Sequence, residues 1–405
     1  MKKIGIVTTW FERGAAYVSK QFKETLEKEY EVFIYARGGE DIAMNNPDWD
    51  HRNITFGKRY SYTKLDLINL SHFKKWIKNN NLDVVFFNEQ HIWDPVLLCN
   101  NMGVLTGAYI DYYTNDTVRF FGLYDFLVCN TLRHYSVFNW HPQAFYFPWG
   151  TDLNIFNETQ MKTGNRDKIV FFHSAGMNPY RKGTDLLIKS FSKLNHSKSK
   201  LVIHTQINLN KFFPEIKKII TELSKNGRLE IINKTVTSPG LYHRGDIYVY
   251  PTRLEGIGLS IAEANACGMP VITTNNPPMS EFIINGVNGH LIDVYSKNKR
   301  KDGYYWKESH IDEVHLESIL QEYCENIGEI KQRKKSALLY AKKHLSWQKN
   351  SYGLIKAVKG ATVLEDKEEV IKQIRAYKKS NGFKLYITNI IVYQKLKKSI
   401  KNLLK

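Results

Sequence analysis

The sequence predicts an α/β protein made of two doubly wound, parallel-sheet domains followed by a helical tail. Short apolar strands alternate with helical stretches over the first 155 residues, and the same alternation starts again near Lys168. A polar segment without periodicity, NETQMKTGNR at 157–166, separates the two runs and marks the linker. In the first run KIGIVTTW, EVFIYAR, DVVFFNE, GVLTGAYI, FLVCN and AFYFPW read as buried strands, with VSKQFKETLEKE as a helix. Near-continuous apolar strands are what a sheet covered on both faces requires. The second run gives strands KIVFFHSAG, KLVIHTQ, RLEIIN, DIYVYPT and PVITTN, and helices TDLLIKSFSKL and FFPEIKKIITELSK. The domains expected are 1–156 and 157–343, then a helix at 344–360 and a tail at 361–405.

A chain of 405 residues is too long for one ordinary core, and 42% apolar with 13% aromatic residues is globular rather than disordered. Cys99, Cys129, Cys267 and Cys324 show no metal or disulfide spacing, and neither a secretory signal nor an apolar run of 18 residues is present. A cytoplasmic enzyme with free thiols is expected. The net charge of +18 is unevenly spread, with −1 over 1–155, +12 over 156–360 and +7 over 361–405. A nearly neutral first domain, with no RNP, zinc or helix-turn-helix signature, argues against nucleic-acid binding. The charge alone would suggest a polyanion binder, which stands as the alternative function.

The stretch DIYVYPTRLEGIGLSIAEANACGMPVITT at 246–274 points to chemistry. A strand ends at Tyr250 and Pro251, a turn carries Glu255, Gly256, Ile257 and Gly258, and an Ala-rich helix begins near Leu259. Two glycines let backbone amides approach a ligand, and the helix aims its positive end at the same place, which suits a phosphate. Glu255 and Glu263 would repel a phosphate beside them, so they serve polyhydroxylated groups at its two ends. A nucleotide-sugar has that order of groups.

This stretch resembles the E-x7-E motif of retaining glycosyltransferases of the GT-B fold, family 4 in particular. The resemblance covers about residues 1–358 and implies two Rossmann-like domains facing across a cleft. It implies that Glu255 touches the donor sugar, that the amides of Gly256, Ile257, Gly258 and Leu259 hold the diphosphate, and that Glu263 binds ribose. In HSAGMNPYRKGTDLLIKSF it places Lys182 on the donor phosphates, the ammonium stabilising the leaving group. The family's usual Arg, five or six positions earlier, is replaced by Met177 or Gly176, so either Arg181 supplies that charge or one cation and more amides hold the diphosphate. Gly14 falls in the loop that closes over the donor, without the usual second glycine. Where many members carry a His near the reacting carbon, this chain has Asp111.

His91, at a strand end, and Tyr112 and Tyr113, in an aromatic-rich stretch, are the acceptor candidates. Asp48-Trp49-Asp50 spells DxD but follows no buried strand, and no metal or other cofactor is expected. The expected reaction is metal-independent hexosyl transfer from a nucleotide-sugar, UDP-sugar first, to a glycan or a lipid-linked, cell-envelope acceptor. A sugar phosphorylase or an epimerase of the same fold is a further alternative. In the tail, Ile390, Tyr393, Leu396, Ile400, Leu403 and Leu404 share one helical stripe, beside Lys397, Lys401 and Lys405. Residues 383–405 could therefore lie on the anionic inner face of a membrane or pack on protein.

Overall fold

The computed structural model describes residues 2–12, 14–37, 43–61, 64–88, 92–160 and 168–388. The chain divides into two compact units. The first comprises 1–130, 134–147 and 351–405, the second 131–133 and 148–350.

The first unit is built on a seven-stranded sheet. Its strands are β1 (Lys3–Thr8), β2 (Glu31–Ala36) and β3 (Ile54–Phe56), then, after a two-stranded antiparallel ribbon of β4 (Arg59–Ser61) and β5 (Lys64–Ile68), β6 (Val84–Phe87), β7 (Leu105–Tyr109), β8 (Phe126–Cys129) and β9 (Ala144–Tyr146). All seven run parallel in the order β3-β2-β1-β6-β7-β8-β9. The crossovers carry α1 (Gly14–Leu26), α2 (Leu70–Asn80), α3 (Asp94–Asn101) and α4 (Leu132–Phe138). The helix α2 shows how local sequence sets its ends. Asn69 accepts a hydrogen bond from the His72 amide at the start, and Asn81 closes the end in a left-handed conformation.

The second unit repeats the plan with β10 (Ile169–Gly176), β11 (Ser199–Thr205), β12 (Leu229–Asn233), β13 (Ile247–Tyr250), β14 (Val271–Thr274) and β15 (Gly289–Ile292). They form one parallel sheet in the order β12-β11-β10-β13-β14-β15. Its helices are α5 (Thr184–Ser192), α6 (Leu209–Phe212), α7 (Lys217–Lys225), α8 (Leu259–Ala266), α9 (Glu313–Glu325) and α10 (Ile327–His344). On one face Ile169, Phe171, Leu201, Ile203, Ile247 and Val249 pack against Leu187, Phe191 and Ile220 of the covering helices. An antiparallel ribbon, β16 (Val294–Asn298) and β17 (Glu308–Ile311), was not foreseen. The two-sheet, doubly wound expectation holds.

The chain leaves the second unit through α11 (Trp347–Asn350), where the Trp347 ring packs on Trp149 at 4.6 Å between centroids. From Ser351 it belongs to the first unit. There α12 (Tyr352–Gly360) approaches so closely that a Cβ on Gly353 would lie 2.5 Å from that of Phe147. The tail is then fixed by a buried ion pair, since Asp125 accepts from Lys367 Nζ at 2.6 Å as well as from the Leu364 amide at 2.8 Å. The last helix, α13 (Glu368–Thr388), stacks Tyr377 on Phe120 at 5.1 Å. The tail therefore packs on the first unit as far as these contacts reach. The stripe from Ile390 to Lys405 lies outside the described residues, and among the described residues no helix is long and apolar enough to cross a membrane.

Candidate functional site

In the second sheet the strand order reverses between β10 and β13, which pair directly through Phe171–Ile247 and Phe172–Tyr248. Connections leaving two such neighbours diverge and open a crevice at the strands' carboxyl ends, where ligands of open α/β sheets bind. The loops that leave here are 177–183 and 251–258, the segments that carry Lys182 and Glu255.

These loops are stitched together by backbone as well as side chains. Arg253 donates its amide to the Arg181 carbonyl at 2.7 Å, and its own carbonyl accepts from Ser309 of β17 at 2.8 Å. The Arg253 guanidinium, 3% exposed as a residue, makes a bidentate pair with Asp185 in the first turn of α5, at 2.8 and 2.7 Å. His173 braces the same region. Its Nδ1 faces the Val249 carbonyl at 2.7 Å and must donate, so Nε2 accepts from the Thr184 hydroxyl at 2.8 Å. Burial holds the His173 pKa down to about 4 and the ring neutral.

Glu255 is buried, and all three of its hydrogen bonds converge on Oε1. Lys182 Nζ donates at 2.7 Å, Tyr250 Oη at 2.9 Å and Thr252 Oγ1 at 2.8 Å, while among the described residues no donor reaches Oε2. Burial alone would raise this carboxyl, but Lys182 and Arg181 outweigh it and the pKa falls to about 2. Burial also pulls the Lys182 ammonium down to about 8, against the pull of Glu255 and with the help of Arg181. Lys182 donates to Tyr250 as well. Eight residues on, in α8, the half-buried Glu263 accepts from the Tyr242 hydroxyl through Oε2, and no described residue donates to Oε1. Burial raises its carboxyl pKa, with Tyr242 and Lys182 opposing.

Between the two carboxylates lies the start of α8. Gly258 caps it at φ +93°, no side chain caps it and its first turn has no acid. Amides there are aimed outward with the helix dipole behind them, which favours an anion. A Cβ on Gly256 would meet nothing within 4 Å.

The structure thus brings together Arg181, Lys182, Glu255, Gly256, Ile257, Gly258, Leu259 and Glu263. Met177, one of the two positions where the resemblance expects an Arg, is 74% exposed, and Arg181 lies by Glu255, which strengthens its protonation. Sequence reasoning passed over Tyr250, Thr252, Arg253 and Tyr242. The first three lie within the quoted motif, but only the fold reveals what they touch.

In the first unit, Gly14 opens α1 after β1 and Asp111 follows β7, so both lie toward the carboxyl edge of that sheet. Asp111 Oδ1 accepts from the Tyr112 amide at 2.7 Å, a local turn, and the Tyr112 side chain is half-buried. Tyr113 is not an acceptor-facing ring. It is 1% exposed, its hydroxyl meets His134 Nδ1 at 2.9 Å and its ring packs on Phe138 at 4.7 Å. The apolar run around it pulls the ring into the core. His91 lies outside the described residues. Of the DxD residues, Asp50 accepts from the Asn45 amide at 2.7 Å and Trp49 packs on Trp10 at 5.3 Å.

Known proteins share both the site's segment and the fold. Residues 156–303 match the family described as glycosyl transferases group 1. Over 173 residues the chain is 28% identical to a probable sucrose-phosphate synthase of Thermosipho melanesiensis, an alignment that spans 40% of each protein. A glycosyltransferase structure from Rickettsia africae matches with a TM-score of 0.69 at 16% identity, over 89% of this chain and 99% of that one. The HepE structure from Anabaena, solved with UDP and glucose, matches with a TM-score of 0.67 at 14% identity, over 89% of this chain and 100% of that one.

One glycine tests how tightly the two loops must approach. Gly183 sits at φ +70°, and a Cβ there would lie 2.0 Å from the Pro251 carbonyl oxygen. Gly183→Ala is expected to cost about 3 kcal/mol in denaturant unfolding, from left-handed strain plus displaced backbone. Gly328→Ala, where a Cβ meets nothing within 4 Å, should stay within about 0.5 kcal/mol of the parent. Equal effects of the two substitutions would refute the close approach.

Proposed function

We infer from a chain that carries a group 1 glycosyltransferase domain in a GT-B fold that the protein transfers a sugar, with retention, from a nucleoside-diphosphate sugar to a hydroxyl acceptor. The observation that carries this reading is the pair Glu255 and Glu263 on either side of an uncapped helix start, each anchored through a single oxygen. Acid, amides, acid is the complement of sugar hydroxyls, diphosphate, ribose hydroxyls. In this reading Glu255 Oε2 takes a donor-sugar hydroxyl, the amides of Gly256 to Leu259 with Lys182 and Arg181 take the diphosphate, and Glu263 takes ribose.

UDP is the diphosphate favoured, because the HepE neighbour was solved with it. The acceptor is a glycan or lipid-linked hydroxyl with Tyr112 as a candidate ligand, while Gly14 belongs to the loop that closes over the donor and Asp111 is the candidate residue near the reacting carbon. Chemistry then consists of breaking the bond from the anomeric carbon to the diphosphate oxygen while the acceptor oxygen bonds to the same face. The acceptor's proton passes to the departing diphosphate. The protein's contribution is electrostatic, through cations and amides fixed before charge develops on the leaving group. No metal is required by this arrangement.

Two substitutions separate the carboxylates. Glu263→Gln should raise the dissociation constant for the nucleotide roughly 10-fold or more, the worth of a charged hydrogen bond. Glu255→Gln should lower turnover by about 100-fold or more with a smaller effect on binding. Titration calorimetry and product assays over UDP-, GDP- and ADP-sugars read both, and unchanged transfer in both variants would sink the assignment.

The depressed Lys182 pKa sets an alkaline limit. A lysine ionising at about 8 is charged below that pH and neutral above it, so kcat/KM, which reports the free enzyme, should fall on passing about pH 8. Lys182→Arg keeps its charge at every accessible pH and should abolish that limb. A limb that persists unchanged in the Arg variant would assign it to another group.

The tail beyond α13 is read as a membrane contact. Deleting 389–405 should release the protein from vesicles rich in anionic lipid while soluble turnover is retained. Equal sedimentation of full-length and shortened protein with such vesicles would rule the contact out.

A further inference from the structure

Glu263 lies on a short helix whose flank is half open, and a glutamate with three side-chain torsions would sample several positions there. Tyr242 removes that freedom. Its ring is held on three sides, by Phe156 at 6.1 Å, Phe172 at 6.0 Å and Tyr248 at 5.8 Å between centroids, all edge-on at 69–78°. The residue is 6% exposed and belongs to the 3₁₀ turn Tyr242–Arg244. That turn is pressed against the sheet, since a Cβ on Gly245 would lie 2.4 Å from that of Phe172. An aromatic ring wedged in this way has its hydroxyl fixed in space. The hydroxyl donates to Glu263 Oε2, which leaves Oε1 as the oxygen presented to a ligand.

We propose that Tyr242 is the positioning residue for ribose recognition, its hydroxyl locking Glu263 so that the carboxylate discriminates a ribonucleotide from a deoxyribonucleotide. This rests on the reading of Glu263 as the ribose ligand. Tyr242 touches no substrate and acts through Glu263 alone. Because a carboxylate can accept but not donate, the group that fixes its far side must be a donor that is itself immobile, and Tyr242 meets both conditions. Removing that hydroxyl keeps the carboxyl group of Glu263 but lets the side chain rotate away from the ribose edge.

The test compares the parent, Tyr242→Phe and Glu263→Gln by calorimetry. UDP, GDP and ADP are titrated first, and the tightest binder is then paired with its 2′-deoxy counterpart. The parent should prefer the ribonucleotide about 10-fold and Glu263→Gln should show little preference. In Tyr242→Phe the ribonucleotide should weaken about 5-fold while the deoxynucleotide binds as to the parent. Phenylalanine keeps the ring and its three neighbours, and a melting curve on the same sample verifies the fold. If Tyr242→Phe retains the parental preference while Glu263→Gln loses it, the positioning role is wrong and the ribose reading stands. Equal weakening of both nucleotides in Tyr242→Phe would mark a merely structural residue and overturn the proposal. If Glu263→Gln keeps the preference, the ribose reading itself has failed.

Discussion

A carboxylate taken out of water is the constraint around which the second unit is arranged. An ion moved into a protein interior loses hydration worth on the order of several kcal/mol, and it stays charged only where cations and donors replace the water. Glu255 meets that demand with one ammonium and two hydroxyls on a single oxygen, and the balance keeps it ionised. The donors come from two places in the sequence. Lys182 lies on the loop after β10, whereas Tyr250 ends β13 and Thr252 belongs to the loop that follows it. Only a sheet with β10 and β13 adjacent assembles them, so the charge state of the site and the topology of the sheet support each other.

The rest of the loop region follows from holding those donors still. Arg253 cannot remain buried without a partner any more than Glu255 can, and Asp185 gives it a two-pronged one. That pair joins the glutamate loop to the first turn of α5, whose start is further tied through Thr184 to His173. A histidine kept neutral by burial is the right partner here, because it can donate to a strand carbonyl and accept from a hydroxyl at once. The result is a rigid frame under the glycine turn.

The strands and the glycine turn between β13 and α8 were legible in the sequence because their information is local. Apolar runs such as VVFF and IYVY fix buried parallel strands, and a glycine turn ahead of a helix fixes an uncapped helix start with no help from distant residues. Contacts between loops were not legible. Nothing in YHRGD indicates that Tyr242 reaches a glutamate 21 positions later, because that depends on which face of the 3₁₀ turn the sheet presses upon. Tyr113 illustrates the opposite failure. An aromatic-rich stretch after a strand suits both a sugar-binding wall and a core, and only the position of His134 and Phe138 decides for the core. The tail was ambiguous for a related reason. Periodicity identifies an apolar stripe but not what covers it, and a buried partner such as Asp125 for Lys367 is invisible until the fold is known.

In the nucleotide-sugar reading proposed above, anchoring each acid by one oxygen resolves a conflict that a site for a polyhydroxylated anion must face. A carboxylate with both oxygens free would be mobile and heavily hydrated, and binding would have to strip that water and freeze the rotamer at once. With both oxygens bonded to protein it would offer nothing to a ligand. Holding Glu255 by Oε1 and Glu263 by Oε2 spends the entropy during folding and leaves one directed acceptor on each residue. The same logic explains why the intervening stretch has no capping side chain. A Ser or Asp at position 258 would occupy the first amides of α8 and, with an acid, repel a phosphate, whereas Gly258 brings no side chain to them.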